Sequence, residues 1–347
     1  MDRIERIKKY ISRQQKGLEI GAYFNPMAPK RDGYNCLVFD IFDAERLRKN
    51  LLNDPQINNT RLNDIEEVDI VGSSTEIFDS VKKIGELGTF DYIISSHNFE
   101  HLPNPIKFLQ GCQKVLKRGG VLSMAIPDKR TCFDYFRPLS TLGEWLSAYK
   151  QDRRFPTDEQ VFDGNIYFCS RQANGKTFES FSQEEDPGSI STSRDIKKYY
   201  ELFMSADNEN QKEYKDAHCW TFTESSFLLL ILETNYLELT DFSIKEISHD
   251  IHSNEFIIHL ENSPSNKIRS EDFSHLRTEL LHRIANECAY NTKYSYLLRT
   301  VNSYIPKLSS EILAKSVEIS PKIDILSEKF SIVETKLANV EHALATK

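Results

Sequence analysis

The chain reads as an α/β protein with a mostly parallel sheet and helices on both faces. Three observations lead there. Short apolar runs recur at 17–21, 36–40, 67–71, 90–96 and 121–126, separated by helix-patterned stretches such as 45–52 and 105–117. The helix opening at Pro105 runs into Arg118-Gly119-Gly120, a stop signal, and the strand after it closes at Pro127. Two later strands, 239–247 and 255–260, lie close enough to form a hairpin that gives the sheet an antiparallel edge.

Taken in order, residues 1–16 are polar and helix-prone and are expected to form an N-terminal helix. The strand Gly17-Leu18-Glu19-Ile20-Gly21 ends in a glycine turn, and Cys36-Leu37-Val38-Phe39-Asp40 ends in an acid. Residues 135–217 are rich in Asp, Glu, Ser, Gln and Asn and show few strand patterns, so they read as a mainly helical insertion. Thr223-Glu224 opens a helix that reaches Leu237, and after Pro264 the pattern is helical to residue 347. This divides the chain into a main domain over 17–262, a helical segment over 263–317 and a tail over 318–347.

The tail carries a heptad. Ile323, Leu326, Phe330, Val333, Leu337, Val340 and Leu344 are spaced alternately by three and four, as in a coiled-coil seam. With Ile323 at position a, Lys329 and Lys336 face Glu334 and Glu341 of a second chain, which favours a parallel homo-oligomer. A helix folded back onto the main domain is the simpler use of the same stripe.

Composition excludes several classes. With 21 Phe and 15 Tyr in 347 residues, the chain has ample material for a core and is not disordered as a whole. A net charge of -8 makes nucleic acid a poor partner, since phosphate neutralisation needs a basic face. The apolar run 227–232 is far short of the ~20 residues that span a bilayer, and the charged start MDRIERIKKY lacks a signal-peptide core, so a cytoplasmic protein is expected. The six cysteines form no C-x-x-C pair, which argues against a disulfide framework or a structural zinc site.

The chemistry begins at Gly21. Open α/β sheets bind ligands at the carboxyl ends of their strands, and a glycine lets the backbone approach a ligand closely. Asp40, nineteen residues on, ends the next strand, where a carboxylate can take both hydroxyls of a ribose. A dinucleotide site needs G-x-G-x-x-G, but positions 23 and 26 are Tyr and Pro. No G-x-x-x-x-G-K-[ST] loop exists for a triphosphate. A phosphate-free adenosine ligand fits better. S-adenosylmethionine is one, and its sulfonium and ammonium groups suit an acid such as Glu19.

The segment Phe90-Asp91-Tyr92-Ile93-Ile94-Ser95-Ser96-His97-Asn98-Phe99-Glu100-His101-Leu102, followed by Lys114-Val115-Leu116-Lys117-Arg118-Gly119-Gly120 and Ile126-Pro127-Asp128, resembles class I S-adenosylmethionine-dependent methyltransferases. The resemblance spans about 17–130 and resumes at 218–260. The chain is also similar to a bacterial subset of them in Gly21 to Pro26, Pro127 to Pro138 and His218-Cys219-Trp220-Thr221. It departs from the wider family in lacking the second glycine of the cofactor loop.

The resemblance implies a Rossmann-like, seven-stranded, mostly parallel sheet, S-adenosylmethionine as cofactor, and an acceptor related to sugars or glycans. It also implies roles. Glu19, Gly21 and Asn25 would line the methionine end, Asp40 would hold the ribose, and Ser74 and Thr75 would border the adenine. Ser96 and His97 would sit near the sulfonium.

An acceptor hydroxyl calls for a base, with His97 first, then His218, then His101. Arg130 and Arg137 would clamp an anionic group of the substrate, and Trp220 would wall its pocket; pairing with Asp128 and Asp134, and a place in the core, are the plainer uses of these side chains. No metal is expected. Glu100 and His101, with His97 nearby, are ligand types, but adjacent residues diverge on a helix and no third carboxylate is evident. The acceptor atom, O, N or C, stays open. The alternatives are a non-catalytic scaffold that oligomerises through the tail, and a dehydrogenase, which the missing pyrophosphate loop disfavours.

Overall fold

The computed structural model describes residues 2–53, 59–205, 215–263 and 269–290, together with helical positions 328, 329, 331, 332 and 334. The chain divides into two compact units, Met1–Asn291 and Thr292–Lys347. The heptad over 321–344 lies outside the described residues except at those five positions.

The first unit opens with α1, Arg3–Ile7, capped by Asp2 and Glu5 in a reciprocal capping box. This helix is much shorter than the 1–16 expected. Then come β1 (Gly17–Ile20), β2 (Cys36–Asp40), α2 (Ala44–Leu52), β3 (Ile70–Val71), α3 (Ile77–Lys83), β4 (Phe90–Ser96), α4 (Pro105–Val115) and β5 (Leu116–Pro127). The insertion holds α5 (Leu142–Lys150), α6 (Asp158–Ile166), β6 (Cys169–Ala173), β7 (Lys176–Phe178), β8 (Ile190–Thr192) and α7 (Ile196–Met204). The chain returns through α8 (Glu224–Tyr236), β9 (Phe242–His249), β10 (Glu255–Asn262) and α9 (Ser270–Tyr290).

The main sheet has seven strands in the order β3-β2-β1-β4-β5-β10-β9. The first five are mutually parallel, and β10 runs antiparallel to both β5 and β9. This is the seven-stranded Rossmann-like sheet expected from the sequence. The strand order reverses at β1 and β4, which makes their carboxyl ends a topological switch point. Register aligns those ends, with Ile20 beside both Phe39 and Ser95 and Ser96 beside Ala125. Gly21, Asp40 and His97 therefore emerge along one edge.

Alternation along the strands sorts the core into two faces. Leu18, Ile93, Met124, Phe256 and Ile258 pack under α4, α5 and α8. Tyr92, Ile94, Ala125 and Ile257 face the other way and meet Ile7 of α1 with Met27 and Ala28. Gly17 is required for this second layer, because a Cβ there would lie 1.9 Å from the Tyr92 ring.

Two further elements differ from expectation. β5 begins at Leu116, directly after α4, and absorbs a register shift with Gly119 at φ +79°. The insertion is not helical alone: β6, β7 and β8 form a three-stranded antiparallel sheet in the order β7-β6-β8. All six cysteines are free.

Candidate active site

At the switch point a cavity of about 350 Å³ is lined by Gly21, Asp40, Ser74, Thr75, Asn98 and His101, among others. Gly21 leaves β1 at φ +67°, a backbone that side-chain-bearing residues adopt only with strain, and a Cβ there would meet no atom within 4 Å. The space beside the glycine is an open cradle. Asp40 is buried at the end of β2 and accepts the Phe42 amide at 3.2 Å. Burial pushes its carboxyl up, and the Phe42 and Ile41 amides pull partly back. Ser74 donates its hydroxyl to Asn98 Oδ1 at 3.1 Å, while the buried Thr75 hydroxyl has no hydrogen-bond partner among the described residues.

A second cavity, about 330 Å³, also touches Gly21 and is lined by Arg3, Glu19, Asn25, Ser96, His97 and Glu255, among others. Glu19 is turned into its own loop. Its oxygens accept the Met27 amide at 2.6 Å and the Ala28 amide at 2.9 Å, and burial raises its pKa to about 7 against those bonds. It shapes the loop, where it was expected to complement the positive charges of the cofactor. Tyr23 stands where the family carries a second glycine, and it adopts φ 45°. Its ring and that of Phe24 pack on Ala44, Leu47, Leu51 and Ile65; both residues also line the second cavity, but no atom of either lies within 4 Å of a Cβ built at Gly21.

Arg3 crosses this cavity from α1. It donates to Glu255 Oε1 at 2.6 Å and Oε2 at 2.8 Å, and to Ser96 Oγ at 2.8 Å. His97, at φ 49°, places Nε2 at 2.7 Å from Glu255 Oε2. Burial pushes the Glu255 carboxyl up, but His97 and Arg3 outweigh it and hold it at about 2.

A third, wider cavity of about 730 Å³ joins the others at His97 and His101. Its wall includes Glu100, His218 and Phe133, with Thr177, Phe178, Glu179 and Ser180 from the insertion. The three histidines named from the sequence converge here on Glu100, from which His97 Nδ1, His101 Nε2 and His218 Nε2 stand 3.6, 3.8 and 4.0 Å away. His218 is brought in by its neighbours, since the Glu100 carbonyl accepts the amides of Cys219 at 2.7 Å and Trp220 at 3.2 Å.

Three expected substrate contacts lie away from this cavity, and two of them, Arg137 and Trp220, line a separate one of about 490 Å³. Arg130 is buried and paired through Nε and Nη2 with Asp128, at 2.9 and 2.5 Å. Arg137 is buried against Asp134 at 2.9 Å and also donates to the His218 carbonyl at 2.8 Å. Both neutralise buried acids, which is why neither lines the 730 Å³ cavity. Trp220 is a core residue whose Nε1 donates to the Leu102 carbonyl at 2.5 Å. Sequence reasoning missed Arg3 and Glu255, and named Asp134 only as a partner for an arginine. Only Asp134 carried a local signal, as part of the segment 127–138.

The crevice suits an adenosine ligand without phosphates. Among the residues lining the first cavity Arg154 is the single lysine or arginine, and its side chain is 66% exposed at the rim. An open glycine cradle, a buried acid for hydroxyls and an unpartnered buried hydroxyl at Thr75 match a nucleoside with a cationic tail.

A family model described as a methyltransferase domain matches residues 1–236. Among solved structures, a SAM-dependent methyltransferase from Methanosarcina mazei aligns at 15% identity over 76% of this chain and 98% of its own, with a TM-score of 0.35. One from Aquifex aeolicus aligns at 12% identity over 75% and 89%, TM-score 0.35. One from Mesorhizobium loti aligns at 8% identity over 74% and 97%, TM-score 0.37. No curated protein matches the chain.

Proposed function

The chain belongs to the methyltransferase domain family, and from that premise we propose that it methylates a hydroxyl of a sugar or glycan-related acceptor. It is an S-adenosylmethionine-dependent methyltransferase, and the bound cofactor supplies a methyl group activated by a positively charged sulfur. Asp40 accepts hydrogen bonds from ribose hydroxyls, and Ser74 and Thr75 border the adenine. Gly21 and Asn25 line the methionine end, where Arg3 meets a carboxylate. Glu19 acts on that end by holding the loop.

The observation that carries the acceptor reading is the 730 Å³ cavity sharing His97 with the cofactor crevice. It falls within the usual size range of ligand pockets and mixes aromatic faces with polar groups. Phe133 and Phe178 suit the apolar face of a pyranose ring, while Thr177, Glu179 and Ser180 suit its hydroxyls. His97 takes the acceptor proton at Nδ1 while Glu255 holds its other nitrogen, a role worth about 10²–10⁴-fold in rate. The catalytic domain is 17–262, and its insertion, 135–217, chooses the acceptor by walling this cavity.

The protein is proposed to act in the cytoplasm as a parallel homo-oligomer joined through the heptad over 321–344. Among the described residues no helix is long and apolar enough to cross a membrane. Mass analysis of glycans from cells with and without the protein tests the acceptor. A methyl group present on a sugar only with the protein supports it; identical glycans, with methylation found on another acceptor, overturn it.

A further inference from the structure

The Glu100 side chain is 2% exposed, and neither of its oxygens accepts a hydrogen bond from any of the described residues. A buried carboxylate left so is costly, roughly 1–3 kcal/mol or more, unless something absent from the protein's own atoms completes it. The residues around it have the character of a ligand set. One atom each from Glu100, His101 and His218 lies within 4.8 Å of the others. The two imidazoles present Nε2 to Glu100 and give Nδ1 to carboxylates: His101 to Asp216 at 2.9 Å and His218 to Asp134 at 2.5 Å. A carboxylate behind each histidine fixes the tautomer that leaves Nε2 free to ligate, as the outer partners of metal-bound histidines do.

We propose that Glu100, His101 and His218 bind a divalent first-row transition ion of the Mn²⁺ to Zn²⁺ class. Two imidazoles and one carboxylate are a known donor set for such ions, with positions left open for water or substrate. Ligands about 2.0–2.2 Å from an ion stand about 3–3.5 Å apart, so the side chains draw in by less than about 1 Å.

Sequence spacing concealed this site. Glu100 and His101 sit in a 3₁₀ turn rather than a long helix, and the third ligand comes from the segment that Glu100's own carbonyl anchors. Glu100, His101 and His218 all line the 730 Å³ cavity. The ion therefore meets the acceptor there and polarises its hydroxyl. His101 and His218 then serve the ion and leave His97 for the proton. This role at the acceptor rests on the methyl-transfer reading; occupancy by metal does not.

The test uses the full chain, stripped with a chelator and titrated with Mn²⁺ or Zn²⁺ by calorimetry. Metal retained after dialysis is counted by mass spectrometry, and circular dichroism confirms folding. About one ion per chain is expected for the parent, with affinity at least tenfold weaker in Glu100→Gln and in His101→Ala, the milder of the two because His101 is part-exposed. S-adenosylmethionine affinity should be unchanged in Glu100→Gln, whose side chain does not line the cofactor crevice. If the parent binds neither ion, or if both folded variants bind as tightly as the parent, the site is overturned. Loss of S-adenosylmethionine binding by the parent would strike the methyl-transfer reading and leave the metal count standing.

Discussion

Cys219 donates its amide to the carbonyl of Glu100 at 2.7 Å, and this bond joins two distant stretches of chain at the point where the crevice meets the acceptor cavity. It sets His218 beside Glu100, and Asp134 then fixes the ring from behind. Asp134 is buried, and His218 and Arg137 outweigh burial to keep its carboxyl below the usual range.

Asp134→Asn removes that support and leaves Arg137 buried without its counter-charge. Unfolding free energy in urea should fall by about 3 kcal/mol. Turnover should drop by about tenfold or more while cofactor affinity holds. Unchanged stability and turnover would show that His218 is held by other means.

Arg3→Ala opens the second cavity. Glu255 and Ser96 lose their shared donor, and the methionine end loses its cation. Calorimetry should show S-adenosylmethionine binding weakened by about tenfold or more, the worth of a charge-assisted hydrogen bond. Parent-like affinity would remove Arg3 from the cofactor site.

Glu19 makes stability depend on pH. Its folded pKa, about 7, lies above the ordinary 4.5, so the folded state keeps a proton that the unfolded chain releases. The contribution is complete below about pH 4.5 and is lost as pH rises through about 7. Urea midpoints measured from pH 5 to 8 should show a downward slope that flattens in Glu19→Gln. Equal slopes in the two proteins would refute this origin. The variant should also be less stable at every pH, because an amide offers one acceptor where the Met27 and Ala28 amides need two.

Deleting 318–347 removes the heptad. The mass in light scattering should fall to that of a smaller assembly with the cofactor affinity intact. An unchanged mass would reject the coiled-coil role.

Much of this was legible in the sequence where strands are buried on both faces. β1, β2, β4 and β5 are apolar runs with clear ends, and the turn chemistry at Gly21 and the acid at Asp40 follow from them. The sheet of the insertion was not legible, because β7 is exposed along its length and β6 and β8 are short and polar, so no alternation marks them. Arg3 and Glu255 meet only because α1 and β10 converge on the end of β4, a tertiary fact with no local trace. The bonding of Glu19 was hidden for a related reason. An acid beside a ligand loop looks like a ligand contact, but the loop curls back and takes both oxygens itself.

The central claim is a crevice built for S-adenosylmethionine. Calorimetry of the full chain with S-adenosylmethionine and with NAD tests it most directly. One-site micromolar binding of the first and none of the second is predicted, and Asp40→Ala should weaken the first by about 10–100-fold as the ribose loses its charged acceptor. Binding of NAD alone, or of neither ligand, would contradict the account.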